Sequence, residues 1–252
     1  MEAARFSAPV TRDDGIADRV AIEEPLEIRV NGEAIAVTMR TPGHDEELAC
    51  GFLHGEGLLR SAPRAAGPTA DFAANIVELD ADLQRTVSDR RFYTTSSCGV
   101  CGKGALEEVA VHAPRLGVGP VVERELLADL PERLRQPGFD ATGGLHATGL
   151  FDTAGTLLMA REDVGRHNAM DKVIGRALMD GQLPFDTKVL CVSGRLAFEL
   201  VQKAALAGCP ILVGVGAPTS LAVSLAADRG MTLCGFARRG KVNVYTGLER
   251  VA

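Results

Sequence analysis

Apolar and polar residues alternate from Leu26 to Val30, Asn31-Gly32 follows, and Ala34 to Met39 resumes with β-formers. This predicts a hairpin, because an Asn-Gly pair accepts the positive φ angles of a two-residue turn. Thr41-Pro42 then opens a helix with Asp45, Glu46 and Glu47 in its early turns and Leu48, Phe52 and Leu53 as its buried stripe. Asn75 to Leu79 and Arg91 to Tyr93 read as short strands. The second runs into Thr94-Thr95-Ser96-Ser97-Cys98-Gly99-Val100-Cys101-Gly102-Lys103-Gly104, after which helices are expected at about Ala105–Val111 and Glu123–Arg135.

Residues 136–144, rich in Pro, Gly and Thr, mark a boundary, and beyond them the pattern changes. Leu145–Phe151 and Thr156–Ala160 form a hairpin around Asp152–Gly155, followed by a helix from Val164 to Met179 with Met170, Val173, Ile174, Ala177 and Leu178 on one side. Strands Val189–Val192, Ile211–Val215 and Met231–Phe236 then alternate with helices Phe198–Ala207 and Ser220–Arg229. Short apolar strands joined by helices imply an α/β sheet covered on both faces. The expected organisation is a mobile tail over 1–18, an α+β domain over 19–136 ending with the cysteine loop and its helices, and a second domain over 137–252.

At 252 residues the chain buries roughly 70–75% of its unfolded surface, so its core needs neither disulfides nor metal. A net charge of −6 argues against a broad nucleic-acid or anionic-membrane surface, while leaving room for a local anion site. No apolar run approaches the ~20 residues that span a bilayer. The start lacks a secretion-signal pattern, so a cytoplasmic protein is expected.

Of six cysteines, Cys50, Cys191, Cys209 and Cys234 sit singly among aliphatic residues and read as small core side chains. Cys98 and Cys101 are spaced for chemistry. Their loop is polar and rich in glycine, Lys103 is adjacent and a helix start follows. Such surroundings lower a thiol pKa from about 8.5 to roughly 3.5–7.5 and make the thiolate nucleophilic. Zinc fits poorly: there is no second CxxC, and the nearest analogue of a deaminase His-x-Glu segment, His146-Ala147-Thr148, lacks the Glu and follows the cysteines. A thioredoxin-like dithiol and a sulfur relay both remain, and the local sequence does not choose between them.

Three further segments concentrate polar chemistry. In Arg161–Lys172, Asp163 is placed to cap the helix and His167 to face Asp171 at i,i+4; a solvated helix start competes with a ligand site involving Arg166 and His167. Ser193-Gly194-Arg195 opens a helix after a strand, where anions bind in open α/β sheets, although a Ser-capped loop would look the same. Phe236-Ala237-Arg238-Arg239-Gly240-Lys241 leaves the last expected strand with three cations. Alone it is a soluble turn; with Arg195 it makes a pocket for phosphate oxygens.

In order along the chain, Thr41-Pro42-Gly43, Gly51-Phe52-Leu53-His54-Gly55-Glu56-Gly57, Ser97–Gly102, Glu162–Asn168, Ser193-Gly194-Arg195, Ala217–Val223 and Gly235–Arg238 resemble the formate dehydrogenase accessory sulfurtransferases, the FdhD family. The resemblance runs from about Glu24 to the C-terminus. It implies a cytoplasmic homodimer that takes sulfur from a cysteine desulfurase as a persulfide on Cys98, with Cys101 as loop partner. The acceptor would be bis(molybdopterin guanine dinucleotide), a bound substrate held by Phe236, Ala237, Arg238, Arg239, Gly240 and Lys241, for the formate dehydrogenase catalytic subunit. It also implies a cytidine-deaminase-like, three-layer αβα C-terminal domain beside a smaller N-terminal α+β domain, without metal bound directly by the protein. Ala197 departs from the pattern, where the family carries Ser. A binding chaperone that transfers no sulfur is the alternative.

Overall fold

The structure, a computed structural model, describes residues 6–68, 75–84, 92–93 and 113–252. The chain opens with an antiparallel ribbon, β1 (Ser7–Thr11) and β2 (Ala17–Ala21). Much of the expected tail is therefore ordered. Gly15 takes a φ of 78° at the turn, where the Asp14 carboxylate accepts the Ile16 N–H at 3.1 Å, and Arg19 donates to Ser7 Oγ at 2.7 Å. Asp14-Gly15 between short runs of β-formers is the sequence signal for this ribbon.

The expected hairpin is β3 (Glu24–Val30) and β4 (Glu33–Arg40), with Asn31 and Gly32 at φ 52° and 85°. It lies at the centre of a five-stranded sheet with β5 (Ala65–Pro68), β6 (Ile76–Asp80) and β7 (Phe92–Tyr93), in the order β5-β6-β3-β4-β7. Leu26, Ile28, Val30, Val77 and Leu79 point to one face, where α1 (Asp45–Gly55) buries Leu48, Phe52 and Leu53 against them. The period-2 and period-3.6 patterns meet there to form one core.

A six-stranded sheet follows, ordered β13-β12-β11-β10-β8-β9. It comprises β8 (His146–Phe151), β9 (Leu157–Asp163), β10 (Val189–Val192), β11 (Ile211–Gly214), β12 (Thr232–Arg238) and β13 (Lys241–Thr246). β10, β11 and β12 are parallel, and β8 runs antiparallel to β10. Alternate residues feed two cores, with Leu190, Val192, Leu212 and Leu233 on one face and Val189, Cys191, Ile211, Val213 and Cys234 on the other.

The other helices are α2 (Arg124–Asp129), α3 (Pro137–Thr142), α4 (Arg166–Met179), α5 (Phe198–Leu206) and α6 (Ser220–Arg229). α4, α5 and α6 cover the first face of the larger sheet. Its second face is covered by Leu127 and Ala128 of α2, and by Leu130 and Leu134 around a 3-10 turn at Leu130–Arg133. Residues 113–135, expected with the N-terminal half, thus pack on the C-terminal sheet, and Val122 bridges to Val251. An apolar stripe tells that a helix is buried, but not under which sheet. The single helix expected over 123–135 divides because Pro131 cannot supply an interior helix N–H.

The two sheets are joined where α1 crosses α4. A Cβ at Gly51 would lie 1.9 Å from the Asp171 carbonyl oxygen, and one at Gly175 would lie 1.8 Å from that of Glu47. Only glycine allows this approach. Beside it, the Glu47 carboxylate accepts two bonds from Arg161 on β9, at 2.6 and 2.9 Å. Burial alone would raise the Glu47 pKa, but the Arg161 and His44 hydrogen bonds outweigh it and hold the group down at about 2.

Gly175→Ala is expected to lower the melting temperature by roughly 5–10 °C through overpacking, as measured by thermal unfolding. Glu47 should stabilise the fold fully above its ordinary pKa near 4.5 and lose that contribution as pH falls toward 2. Glu47→Gln should therefore cost about 3 kcal/mol at pH 7 and little near pH 2. Denaturant unfolding at several pH values checks both the size and the sign.

Candidate functional site

Registers Val192↔Gly214 and Val213↔Cys234 bring the carboxyl ends of β10, β11 and β12 level. Three loops leave this edge and hold one another through their main chains. Gly216 donates to Gly194 O at 3.0 Å, Leu196 to Ala217 O at 3.0 Å, Thr219 to Leu196 O at 3.0 Å and Phe236 to Gly216 O at 3.2 Å. A Cβ on Gly216 would lie 2.8 Å from Arg195 Cα. Ser193-Gly194-Arg195, Ala217-Pro218-Thr219-Ser220 and Gly235-Phe236, separate in sequence, thus become neighbours.

Ser193 is not a helix cap. Its hydroxyl accepts the Ala147 N–H at 2.9 Å, while its own N–H donates to Ala147 O at 2.9 Å, tying the loop to β8. Ala197 is the N-cap of α5 and has no side chain able to accept a helix N–H. A Ser at this position would supply that acceptor.

β8 starts at the same edge. Next to Gly194 stand His146 Nδ1 and Arg166 Cδ, 3.4 and 3.6 Å from where a Cβ would be. Burial, and then Arg166, push the His146 pKa down; Arg195 acts in the same sense and Asp163 against it. His167 is pushed to about 3 by burial, Arg166, Lys203 and His146. Both imidazoles are therefore neutral at pH 7, and the 3.8 Å approach of His167 Nε2 to Glu199 is not an ion pair. Arg166 Nε and His167 Nε2 are buried and have no hydrogen-bond partner among the described residues. Two arginines and the start of α4 beside neutral rings can receive anionic oxygens.

Asp163 does not cap α4, whose N-cap is Gly165. It accepts the N–H groups of Thr41 and Gly165 at 3.1 and 2.8 Å, and pairs with Lys172 at 2.7 Å. Nor does His167 meet Asp171. That carboxylate turns into the helix interface and accepts Lys203 Nζ at 2.8 and 3.0 Å. Burial raises the Asp171 pKa to about 6 against the pull of Lys203. Lys172 and Lys203 were not singled out from the sequence, although each is a cation on an apolar helical stripe, which itself calls for a buried partner.

Phe236–Lys241 does not leave the last strand, because β13 follows. It spans the end of β12, a turn at Arg239-Gly240 with φ 49° and 70°, and the start of β13, with Arg238 opposite Lys241. Phe236 has φ 54° and is 39% exposed, Ala237 is buried, and Arg238, Arg239, Gly240 and Lys241 are exposed. The Arg239 N–H donates to Glu132 at 3.2 Å. Among the described residues, the side chains of Arg238, Arg239 and Lys241 form no ion pair.

Cys98, Cys101 and the helix expected at 105–111 lie outside the described residues. β7 runs parallel to β4, with Phe92 and Tyr93 beside Ala36 and Val37. In that direction β4 leads to Met39, whose carbonyl accepts Asn168 Nδ2 at 2.7 Å. Cys50, Cys191, Cys209 and Cys234 are all fully buried. Burial pushes the thiols of Cys50, Cys209 and Cys234 up to about 12 and raises Cys191 as well. Among the described residues, no three of His, Cys, Asp and Glu are grouped to hold a metal ion.

A sulfur carrier protein FdhD of Streptomyces coelicolor is 52% identical over 252 residues, spanning 93% of this chain and 89% of the relative. The protein of the same name from Saccharolobus solfataricus is 43% identical over 240 residues, spanning 93% and 91%. A crystal structure from Desulfotalea psychrophila, described as a formate dehydrogenase accessory protein, has a TM-score of 0.78 at 28% identity and covers 98% of both chains. The family model of FdhD/NarQ matches residues 21–252, which include both sheets and the edge where the motifs meet, and this chain belongs to the FdhD/NarQ family.

Proposed function

We propose that the protein carries sulfur as a persulfide on Cys98 and delivers it to the molybdenum cofactor, bis(molybdopterin guanine dinucleotide), during formate dehydrogenase maturation. An elimination among thiols carries this reading. Relatives at 52% and 43% identity are named sulfur carrier proteins, and a carrier needs an accessible thiolate. The four described cysteines are buried, with raised pKa values, which leaves Cys98 and Cys101.

The Cys98 thiolate attacks the terminal sulfur of a cysteine desulfurase persulfide. A new S–S bond forms at Cys98, the donor S–S bond breaks, and the donor cysteine leaves as a thiolate. The carried sulfur is at the zero oxidation level and needs two electrons to leave as sulfide. The Cys101 thiolate supplies them by attacking Cys98 Sγ, which releases sulfide to the cofactor and closes a disulfide that a dithiol reductant reopens. Cys101 is nearer Lys103, yet access and intrinsic nucleophilicity also govern exchange, and the latter falls with pKa.

The exposed cations Arg238, Arg239 and Lys241, together with Arg195, meet the phosphates of the dinucleotide substrate. The protein works as a cytoplasmic homodimer, serves the formate dehydrogenase catalytic subunit, and arranges its C-terminal half in a cytidine-deaminase-like way. The helices on both faces of the larger sheet support that layout. No helix among the described residues is long and apolar enough to cross a membrane.

After exposure to a desulfurase and cysteine, mass spectrometry should find one thiol-labile extra sulfur on wild type and on Cys101→Ala, and none on Cys98→Ala. Cys98→Ala should also fail to activate formate dehydrogenase, and Cys101→Ala should deliver poorly. Extra sulfur that persists in Cys98→Ala and vanishes in Cys101→Ala would reassign the nucleophile; full maturation without either cysteine would make the protein a chaperone. GDP, which represents half of each nucleotide arm, should bind wild type weakly by calorimetry. The Arg238→Ala, Arg239→Ala double variant should lose ~1.5–3 kcal/mol for each charged hydrogen bond removed. Equal affinity would exclude this turn from the site.

A further inference from the structure

Along β13, Val242 and Val244 pack into the core on the second face of the larger sheet. Asn243 lies opposite Gly235, and Lys241 opposite Arg238. Opposed residues of an antiparallel pair share a face, and so do residues two apart on one strand. Gly235, Asn243, Lys241 and Arg238 therefore lie on the face away from Val242.

The register of this hairpin shifts between Leu233, which pairs with Thr246, and Cys234, which pairs with Val244. Tyr245 is the extra residue of that bulge. The Thr246 hydroxyl holds it, donating to Met231 O at 2.7 Å and accepting the Leu233 N–H at 3.2 Å. A bulge re-aims a side chain. Here it brings the Tyr245 ring beside Gly235, where a Cβ would lie 3.1 Å from Tyr245 Cε2 and 3.0 Å from Pro218 Cδ. Tyr245 is nevertheless 38% exposed.

An aromatic side chain over a strand glycine can serve the sheet alone, by covering the bare backbone. The neighbours on this face point to a second use. The ring is level with Asn243, two residues or roughly 7 Å of strand from Lys241. Arg238 and Lys241 are both exposed. The Gly216 carbonyl, 3.2 Å from the Cβ position at Gly235, accepts the Phe236 N–H and joins the Arg195 loop to the same floor. An accessible aromatic face beside cations on one side of a hairpin matches a nucleotide, whose base stacks while its phosphates meet the charges.

We propose that Tyr245 is the platform on which a nucleobase of the dinucleotide acceptor stacks, with Arg238 and Lys241 reaching its phosphates from the same face. This rests on the sulfur-acceptor reading above and adds to it a base-holding residue outside the Phe236–Lys241 segment. Stacking uses the ring face and not the base edges, so the platform favours purines over pyrimidines by stacking strength.

Calorimetry on the full chain with GDP, UDP and inorganic pyrophosphate separates the ring from the cations. Tyr245→Ala should weaken GDP about tenfold, remove the preference for GDP over UDP and leave pyrophosphate binding unchanged. Tyr245→Phe should retain GDP binding, because the ring and not the hydroxyl stacks. The chain has two tyrosines and no tryptophan, so Tyr93→Phe makes Tyr245 the sole strong emitter. Its fluorescence should fall as GDP saturates the site and stay constant with pyrophosphate, a readout that holds even if Tyr245→Ala does not fold. The proposal is overturned if natively folded Tyr245→Ala binds GDP as wild type does, if wild type binds UDP as tightly as GDP, or if GDP saturates Tyr93→Phe without changing Tyr245 emission. Each of those results leaves a nucleotide site on the cations in place. Wild type that binds neither GDP nor pyrophosphate overturns the cation site of the earlier reading and this platform together.

Discussion

Lys172 and Asp163 meet at 2.7 Å with side chains 1% and 0% exposed. Removing two charges from water costs several kcal/mol each, and their attraction repays this only when the remaining donors and acceptors are also satisfied. Here they are. Lys172 Nζ donates to the carbonyls of Thr41 and Glu162 at 2.9 and 3.4 Å, while Asp163 accepts from Thr41 N, Gly165 N and Asn168 Nδ2. The pair therefore grips Thr41, the residue just after β4. Through Thr41 and Asn168 it fixes the end of the smaller sheet to the start of α4.

Much of the architecture depends on that grip. α1 follows Thr41 directly, and its glycine crossing with α4 brings Glu47 to Arg161 and places Phe52 under the Lys203 cation, 5.7 Å from the ring centre. Asp171, the residue before Lys172 on α4, forms a second buried pair with Lys203. Taking one member from either pair would strand the other charge in the interior. The ends of β8, β9 and β10 are held in this frame, so His146, Arg166 and Arg195 approach one another on a rigid edge. β7, which is parallel to β4, runs toward the same junction.

Local chemistry carried most of the element assignments. Asn31-Gly32 set a hairpin because both residues accept positive φ, and the aliphatic runs at Val189 and Ile211 became strands buried on both faces. Four cysteines in apolar settings became core residues. The ribbon at 7–21 was harder to read because it is largely exposed, and an exposed strand needs no alternation of apolar residues. The i,i+4 pairing of His167 with Asp171 failed because helical spacing specifies adjacency, whereas burial decides which neighbour receives a carboxylate.

By itself, the sequence determined the order and type of most elements, the turn chemistry, the family motifs and the close spacing of Cys98 and Cys101. These depend on neighbours a few residues apart, where backbone preference and side-chain periodicity act. Only the tertiary structure decided that residues 113–135 cover the C-terminal sheet, that Phe236–Lys241 is the tip of a hairpin between β12 and β13, and that Arg166, Arg195 and His146 share one edge. It alone paired Lys172 with Asp163, Lys203 with Asp171 and Arg161 with Glu47. Such choices bring together groups as much as 114 residues apart, and they follow from which buried charge can be satisfied where, a constraint set by the packed chain and not by any local stretch of it.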